Sequence, residues 1–143
     1  LQQDQPEDFV IATGKTSTVR DLVRMAFSEV GITLDFIGSG VNEKGIITSI
    51  NKDFFEQATG IEPNHLAIGQ TVITIDPFYF RPTEVDLLIG DPTKAKEKLG
   101  WEARHSLAEL VAEMVEHDLI WVRKNHHLQN GGFEVVHQME DVF

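Results

Sequence analysis

The sequence predicts an α/β domain of short strands and amphipathic helices, and three observations carry that expectation. Apolar residues recur at helical spacing over 19–30 and again over 107–122. Short β-branched runs, some strictly alternating, lie between them. The chain has 143 residues, 41% hydrophobic and 24% charged, which suits one globular domain with a modest core.

Taken in order, "FVIATG" (Phe9 to Gly14) is an apolar run closed by glycine and predicts a buried strand entering a turn. In the following helix Val19, Leu22, Val23, Ala26, Phe27 and Val30 draw one stripe. Hydroxyl residues at 16–18 supply its N-cap and Gly31 its stop. Ile32, Leu34 and Phe36 share one face of a half-exposed strand. The turn-like "GSGVNEKG" leads to a second strand, "IITSI". Residues 51–70 predict a loop with a helical turn around Phe54 and Phe55, and Thr71 to Asp76 a third strand. Asp91-Pro92 caps a helix that Gly100 stops. Ser106 and Glu109 form the capping box of a long helix that carries Leu107, Leu110, Val111, Met114, Val115, Leu119 and Val122 inward. The expected organisation is one domain over 1–128 and a loose tail over 129–143.

Composition narrows the function classes. Twelve basic against twenty-three acidic residues give a formal charge of −11, which repels nucleic acid and anionic membranes at long range. No run of about 18 apolar residues exists, and "LQQDQPEDF" lacks the basic-then-apolar order of a signal peptide, so a soluble, cytoplasmic protein is expected. Leu1 in place of a start methionine suggests an excised or processed piece whose first residues end a helix. With no cysteine, thiolate metal sites and thiol nucleophiles are excluded.

Several motifs fail on inspection. "GKT" at 14–16 ends like a phosphate loop, but Phe9 stands where that loop needs glycine. Gly38 and Gly40 start a dinucleotide fingerprint whose third glycine is replaced by Glu43. His126-His127 point about 100° apart on a helix and chelate poorly. Tyr79 has Thr83 where a short-chain dehydrogenase places lysine. The expectation is therefore no catalytic, cofactor-binding or metal-binding residue in this chain.

The stretch "DPFYFRPTEVDLLIGDPTKAKEKLGW" (76–101) is different. Arg81 follows a strand and an aromatic turn, and a guanidinium there can fork onto phosphate oxygens. Glu84, three positions on, can accept two ribose hydroxyl protons. A surface pair between Arg81 and Glu84 accounts for the same residues.

"PEDFVIATG", the helix start Thr18-Val19-Arg20, "YFRPTEVDLLIGDPTKAKEKLGW" and "LAELVAEMVEHDL" together resemble the C-terminal part of the GDP-mannose 4,6-dehydratase family, extended short-chain dehydrogenase/reductases acting on a nucleotide sugar. The resemblance runs from Pro6 to about Leu119 with the motifs in order. It implies a lyase whose Rossmann domain, outside this chain, binds NADP and carries the catalytic residues. The present chain would be the substrate-binding part that holds the GDP end of GDP-mannose and is inactive alone. By this resemblance Arg81 holds the diphosphate and Glu84 the guanosine ribose. Arg20 is a third substrate-binding candidate, and a packing or solvated role at a helix start fits it equally. Homodimers or tetramers are implied for the full enzyme. Phe78 stands where the family usually has a basic residue, and no function carries onto 51–70. The alternatives are a related nucleotide-sugar epimerase or reductase, and a non-catalytic interaction module of the same fold.

Overall fold

The computed structural model describes residues 5–82 and 88–135. Its centre is a three-stranded antiparallel sheet, β1 (Ile32–Ile37), β2 (Lys44–Ile50) and β3 (Thr71–Thr74), in the order β1-β2-β3. Ile32 pairs with Ile50 and Leu34 with Ile47, with a bulge between Thr33 and Leu34. A second bulge, at Gly45/Ile46, marks the pairing with β3. Gly45 has a steric reason: a Cβ there would lie 2.9 Å from Ile73 Cβ and 3.3 Å from Phe36 Cε1. Among the described residues the domain is therefore a mixed α/β unit built on a small antiparallel sheet.

Four helices accompany the sheet, α1 (Val19–Ser28), α2 (Lys52–Thr59), α3 (Thr93–Leu99) and α4 (Leu107–Asn130), with α1 packed on β1 and α4 packed on α1 and α2. Their ends obey local chemistry. Thr18 Oγ1 accepts the Asp21 N–H at 3.1 Å while Asp21 Oδ2 accepts the Thr18 N–H at 3.1 Å, a closed capping box. Asn51 Oδ1 accepts the Phe54 N–H, and Asp91 Oδ1 accepts the Thr93 N–H at 2.9 Å. On α4, Ser106 Oγ accepts the Glu109 N–H at 3.3 Å and Glu109 Oε2 accepts the Ser106 N–H at 2.7 Å. Gly60 and Gly100 end α2 and α3 in the left-handed region, at φ 73° and 65°.

The core lies between α1, α2 and the sheet. Ile32, Leu34, Ile47 and Phe55 are buried together, with Val23, Phe27, Val30 and Leu66 packed around them. Elsewhere only Ala95 and Val111 are buried hydrophobics among the described residues. Among the described residues Val10, Ile11, Leu88, Met114 and Ile120 all keep more than half of their surface in water, so apolar surface is left without a cover inside the chain.

Two sequence expectations are corrected here. Residues 9–14 form no strand: Val10 and Ile11 are exposed, and the segment finds no place on the sheet. It runs instead beside 88–98, where the Thr16 hydroxyl donates to the Leu88 carbonyl at 2.8 Å and Lys94 Nζ to the Asp8 carbonyl at 2.9 Å. Glu7 bridges Lys94 and Lys98 at 2.9 and 2.7 Å. At Gly90 a Cβ would sit 2.5 Å from Ala12 Cβ, so the two segments touch at a residue that must be glycine. The second correction concerns α4, whose apolar residues do not all point inward. Val111 is buried and Val115 and Leu119 are half-buried, whereas Leu110 and Met114 face solvent. On a helix, 110 and 114 lie about 100° away from the 111–115–119 stripe. α4 runs to Asn130, before Gly131 and Gly132, and 136–143 lie outside the described residues.

Candidate functional site

Two turns meet at one end of the sheet. The first joins β1 to β2 through a single 3₁₀ turn, Gly40–Asn42, followed by Glu43. The second follows β3, where Asp76 Oδ1 accepts the Phe78 N–H at 2.8 Å and the Asp76 carbonyl accepts the Tyr79 N–H at 3.1 Å. That Asx-type turn holds Phe78 and Tyr79 edge to face at 5.0 Å, both largely exposed. Phe80 points the other way, with its Cζ 3.6 Å from where a Gly40 Cβ would stand. Gly40 lies two residues before Asn42 in the same turn, so Phe80 seats the aromatic turn on the β1–β2 turn.

Arg20 reaches this corner from the first turn of α1. Its Nε and Nη2 fork onto the Glu43 carboxylate, Nη2 to Oε2 at 2.7 Å. Glu43 keeps only 10% of its side-chain surface in water and Arg20 keeps 53%. The hydrogen bond from Arg20 holds the Glu43 carboxyl below its ordinary pKa, and the same bond raises that of Arg20. Beside them Arg24 bonds Asp35 at 3.4 Å and lies over the Phe36 ring, 5.1 Å from its centroid. Arg20 and Arg24 are thus faced by Asp21, Asp35 and Glu43, which leaves this patch with no surplus of positive charge.

The three sequence candidates therefore differ in standing. Arg20 is engaged by Glu43 in a strut between α1 and the β1–β2 turn. Arg81 is exposed and follows directly on Phe80, which places it at the same corner. Glu84 lies outside the described residues, and with it any pairing with Arg81. Sequence reasoning missed Glu43. An acid in a turn between two strands reads as solvated, and its partner is 23 residues away with no local pattern to announce it.

Other concavities are less organised. An open cleft of about 690 Å³ is lined solely by Leu99 to His105, so it is the curl of one loop. A smaller one of about 350 Å³ lies between the ends of α2 and α4, at Thr59, Gly60, Arg123, His126, His127 and Asn130. There Arg123 donates to the Ala58 carbonyl and so caps α2. Among the described residues no three His, Asp or Glu side chains converge on one point. No helix among them is long and apolar enough to cross a membrane.

The glycine-rich turn at 38–40 does not suit a dinucleotide. Gly38 has φ 84°, and a Cβ there would lie 2.5 Å from the Asn42 carbonyl oxygen, so the turn closes on its own backbone. The chain leaves the turn as β2 of an antiparallel sheet, with no helix N-terminus to face a pyrophosphate. That turn does not fit the pyrophosphate of a dinucleotide such as NADP.

Fold and corner together define a small mixed α/β domain with an exposed arginine and aromatic rings on a braced turn. The model of the family described as "GDP-mannose 4,6 dehydratase" matches residues 1–114, and the chain belongs to that family. It is 47% identical over 135 residues to a GDP-mannose 4,6-dehydratase of Yersinia enterocolitica and equally so to one of Vibrio cholerae, covering 94% of this chain and 34% of each relative. A GDP-mannose 4,6 dehydratase of Homo sapiens is 42% identical over 125 residues, 87% of this chain and 29% of the relative. The chain spans about a third of the length of the curated relatives it matches.

Proposed function

We propose that this chain is the substrate-binding part of an NADP-dependent GDP-mannose 4,6-dehydratase, a lyase that turns GDP-mannose into GDP-4-dehydro-6-deoxy-mannose and water. In this reading Arg81 grips the diphosphate, Glu84 takes the ribose hydroxyls, and Arg20 offers the guanidinium N–H groups that Glu43 leaves free. The observation that carries it is the seating of Phe80 on Gly40, which sets the Arg81 turn at the corner that Arg20 also reaches. NADP and the acid–base residues belong, in this reading, to sequence beyond the third that the chain matches. Holding a remote nucleotide orients the hexose and supplies binding energy, so the domain serves the reaction without performing it.

The Arg20–Glu43 pair favours a second role for Arg20, that of a brace. A guanidinium already neutralised by a sheltered carboxylate gains less from a phosphate than an unengaged one.

Titration calorimetry of GDP, with UDP as control, tests the reading on this chain and its Arg81→Ala variant. The expected result is GDP binding that UDP does not match and that Arg81→Ala weakens by about 1.5–3 kcal/mol, the range of a charge-assisted hydrogen bond. Turnover of GDP-mannose with NADP by this chain alone would contradict the division of labour. Equal affinity of GDP for both forms would favour the non-catalytic interaction module, and tighter UDP a related epimerase or reductase.

A further inference from the structure

We propose, resting on the reading in which Arg81 grips the diphosphate, that Glu43 is a positioning residue for the nucleotide: held by Arg20, it fixes the β1–β2 turn on which the Arg81 turn is seated. Three contacts in series carry this. Arg20 forks onto both carboxylate oxygens of Glu43, which fixes the direction of α1 against the turn. Glu43 closes the single 3₁₀ turn, its own N–H donating to the Gly40 carbonyl at 3.2 Å. Gly40, at φ 58°, then faces the ring of Phe80, whose Cζ lies 3.6 Å from where a Cβ would stand. Arg81 is the next residue.

The aromatic turn has little else to place it. Lys44, directly after Glu43, pairs with Thr74 at the end of β3, so the ladder stops two residues before Asp76. Beyond it, the hydrogen bonds of the turn among the described residues are local, with Phe78 and Tyr79 both donating to Asp76. The Phe80 ring is thus the link that returns this turn to the one Glu43 closes.

Stability alone does not account for such a pair. Glu43 keeps 10% of its side-chain surface in water, and the desolvation of a carboxylate so sheltered offsets much of its attraction to a guanidinium. What a forked pair supplies is direction. Charge, moreover, argues for the opposite effect on a ligand: a carboxylate near a phosphate site repels the phosphate, so removing it would tighten binding if Glu43 acted through its field. Positioning and field therefore predict opposite signs.

Titration calorimetry of GDP into the 143-residue chain reads that sign. The variants are Glu43→Gln, Phe80→Leu, both together, and Glu102→Gln, which removes one negative charge from a surface pair with Lys96. Glu43→Gln is expected to weaken GDP binding with helix content unchanged; if the seated turn falls to about a fifth of the molecules, Kd rises about fivefold. Phe80→Leu also weakens it, and in that background Glu43→Gln adds less than about twofold, because the two residues act in one series. Glu102→Gln leaves Kd unchanged. Tighter binding by Glu43→Gln, or full additivity with Phe80→Leu, would overturn the proposal. Proton NMR reads the seating without ligand. A nuclear Overhauser contact between the Phe80 ring and the Gly40 α-protons is expected in the unmodified and Glu102→Gln chains and lost in Glu43→Gln. Its survival in Glu43→Gln overturns the role of Glu43 whether or not GDP binds. GDP that does not bind the unmodified chain, or binds Arg81→Ala equally well, instead overturns the reading of the corner, and the Overhauser contact still decides whether Glu43 seats the turn.

Discussion

The two halves of the chain are built on opposite terms. Residues 19–75 close a core among themselves: β1, β2, α1 and α2 bury Ile32, Leu34, Ile47 and Phe55. Residues 88–135 have more helical length, 7 and 24 residues against 10 and 8, but bury only Ala95 and Val111 as hydrophobics, while Leu88, Ile89, Leu110, Met114 and Trp121 stay exposed. The first half uses its apolar residues to hold itself together. The second uses caps, ion pairs and a single buried stripe, and keeps most of its apolar surface for other contacts. Stability and recognition are thus divided along the sequence.

That division can be broken most directly at Ile47, whose side chain is fully buried. Ile47→Ala is expected to cost about 2–5 kcal/mol in chemical denaturation, since methylenes are lost and the packed sheet relaxes only in part. A cost below about 1 kcal/mol would place the stabilising core elsewhere. A smaller, pH-dependent effect belongs to the strut between the halves of the corner. Because Arg20 depresses the Glu43 pKa in the folded state, the pair stabilises above the carboxyl's ordinary range and that contribution is lost as pH falls through the folded value. Thermal melts should therefore show Glu43→Gln less stable than the unmodified chain near neutrality, with the gap closing in acid. A gap that widens in acid would contradict the pairing. The smallest effect is expected at Phe78, which is 84% exposed: Phe78→Ser should shift stability by no more than about 0.5 kcal/mol, measured in the same denaturation series. A larger loss would mean that the aromatic turn belongs to the first half's core.

Much of this architecture is legible in the residues alone. Thr18 and Ser106 mark helix starts because capping is a local contest between side chain and backbone, readable within three residues, whereas Asn51 caps α2 inside a stretch that reads as a loop, and at α3 the cap position falls on Pro92, one residue after Asp91. Strand β1 is legible because its alternation is unbroken from Ile32 to Phe36. The segment at 9–14 misleads because an apolar run says that a residue seeks cover without saying which element provides it. The two stripes of α4 merge into one because residues 110 and 111, or 114 and 115, differ by a single step and periodicity over a short window cannot separate them. At the site, the Arg81 turn announces itself through aromatic and turn residues close in sequence. Glu43 does not, since its role depends on a partner brought near only by the fold.

The bridge from Glu7 to Lys94 and Lys98 joins residues up to 91 positions apart. The pairings of the sheet, by comparison, join residues no more than 30 positions apart, the widest being Lys44 with Thr74. Closing so long a loop costs entropy that a surface ion pair repays poorly, so the bridge is expected to form after the sheet and helices are in place. During synthesis the residues around Glu7 emerge before those around Lys98 and must wait for them, so the Phe9 ring goes without the Lys94 ammonium that lies over it in the folded domain until that helix is made.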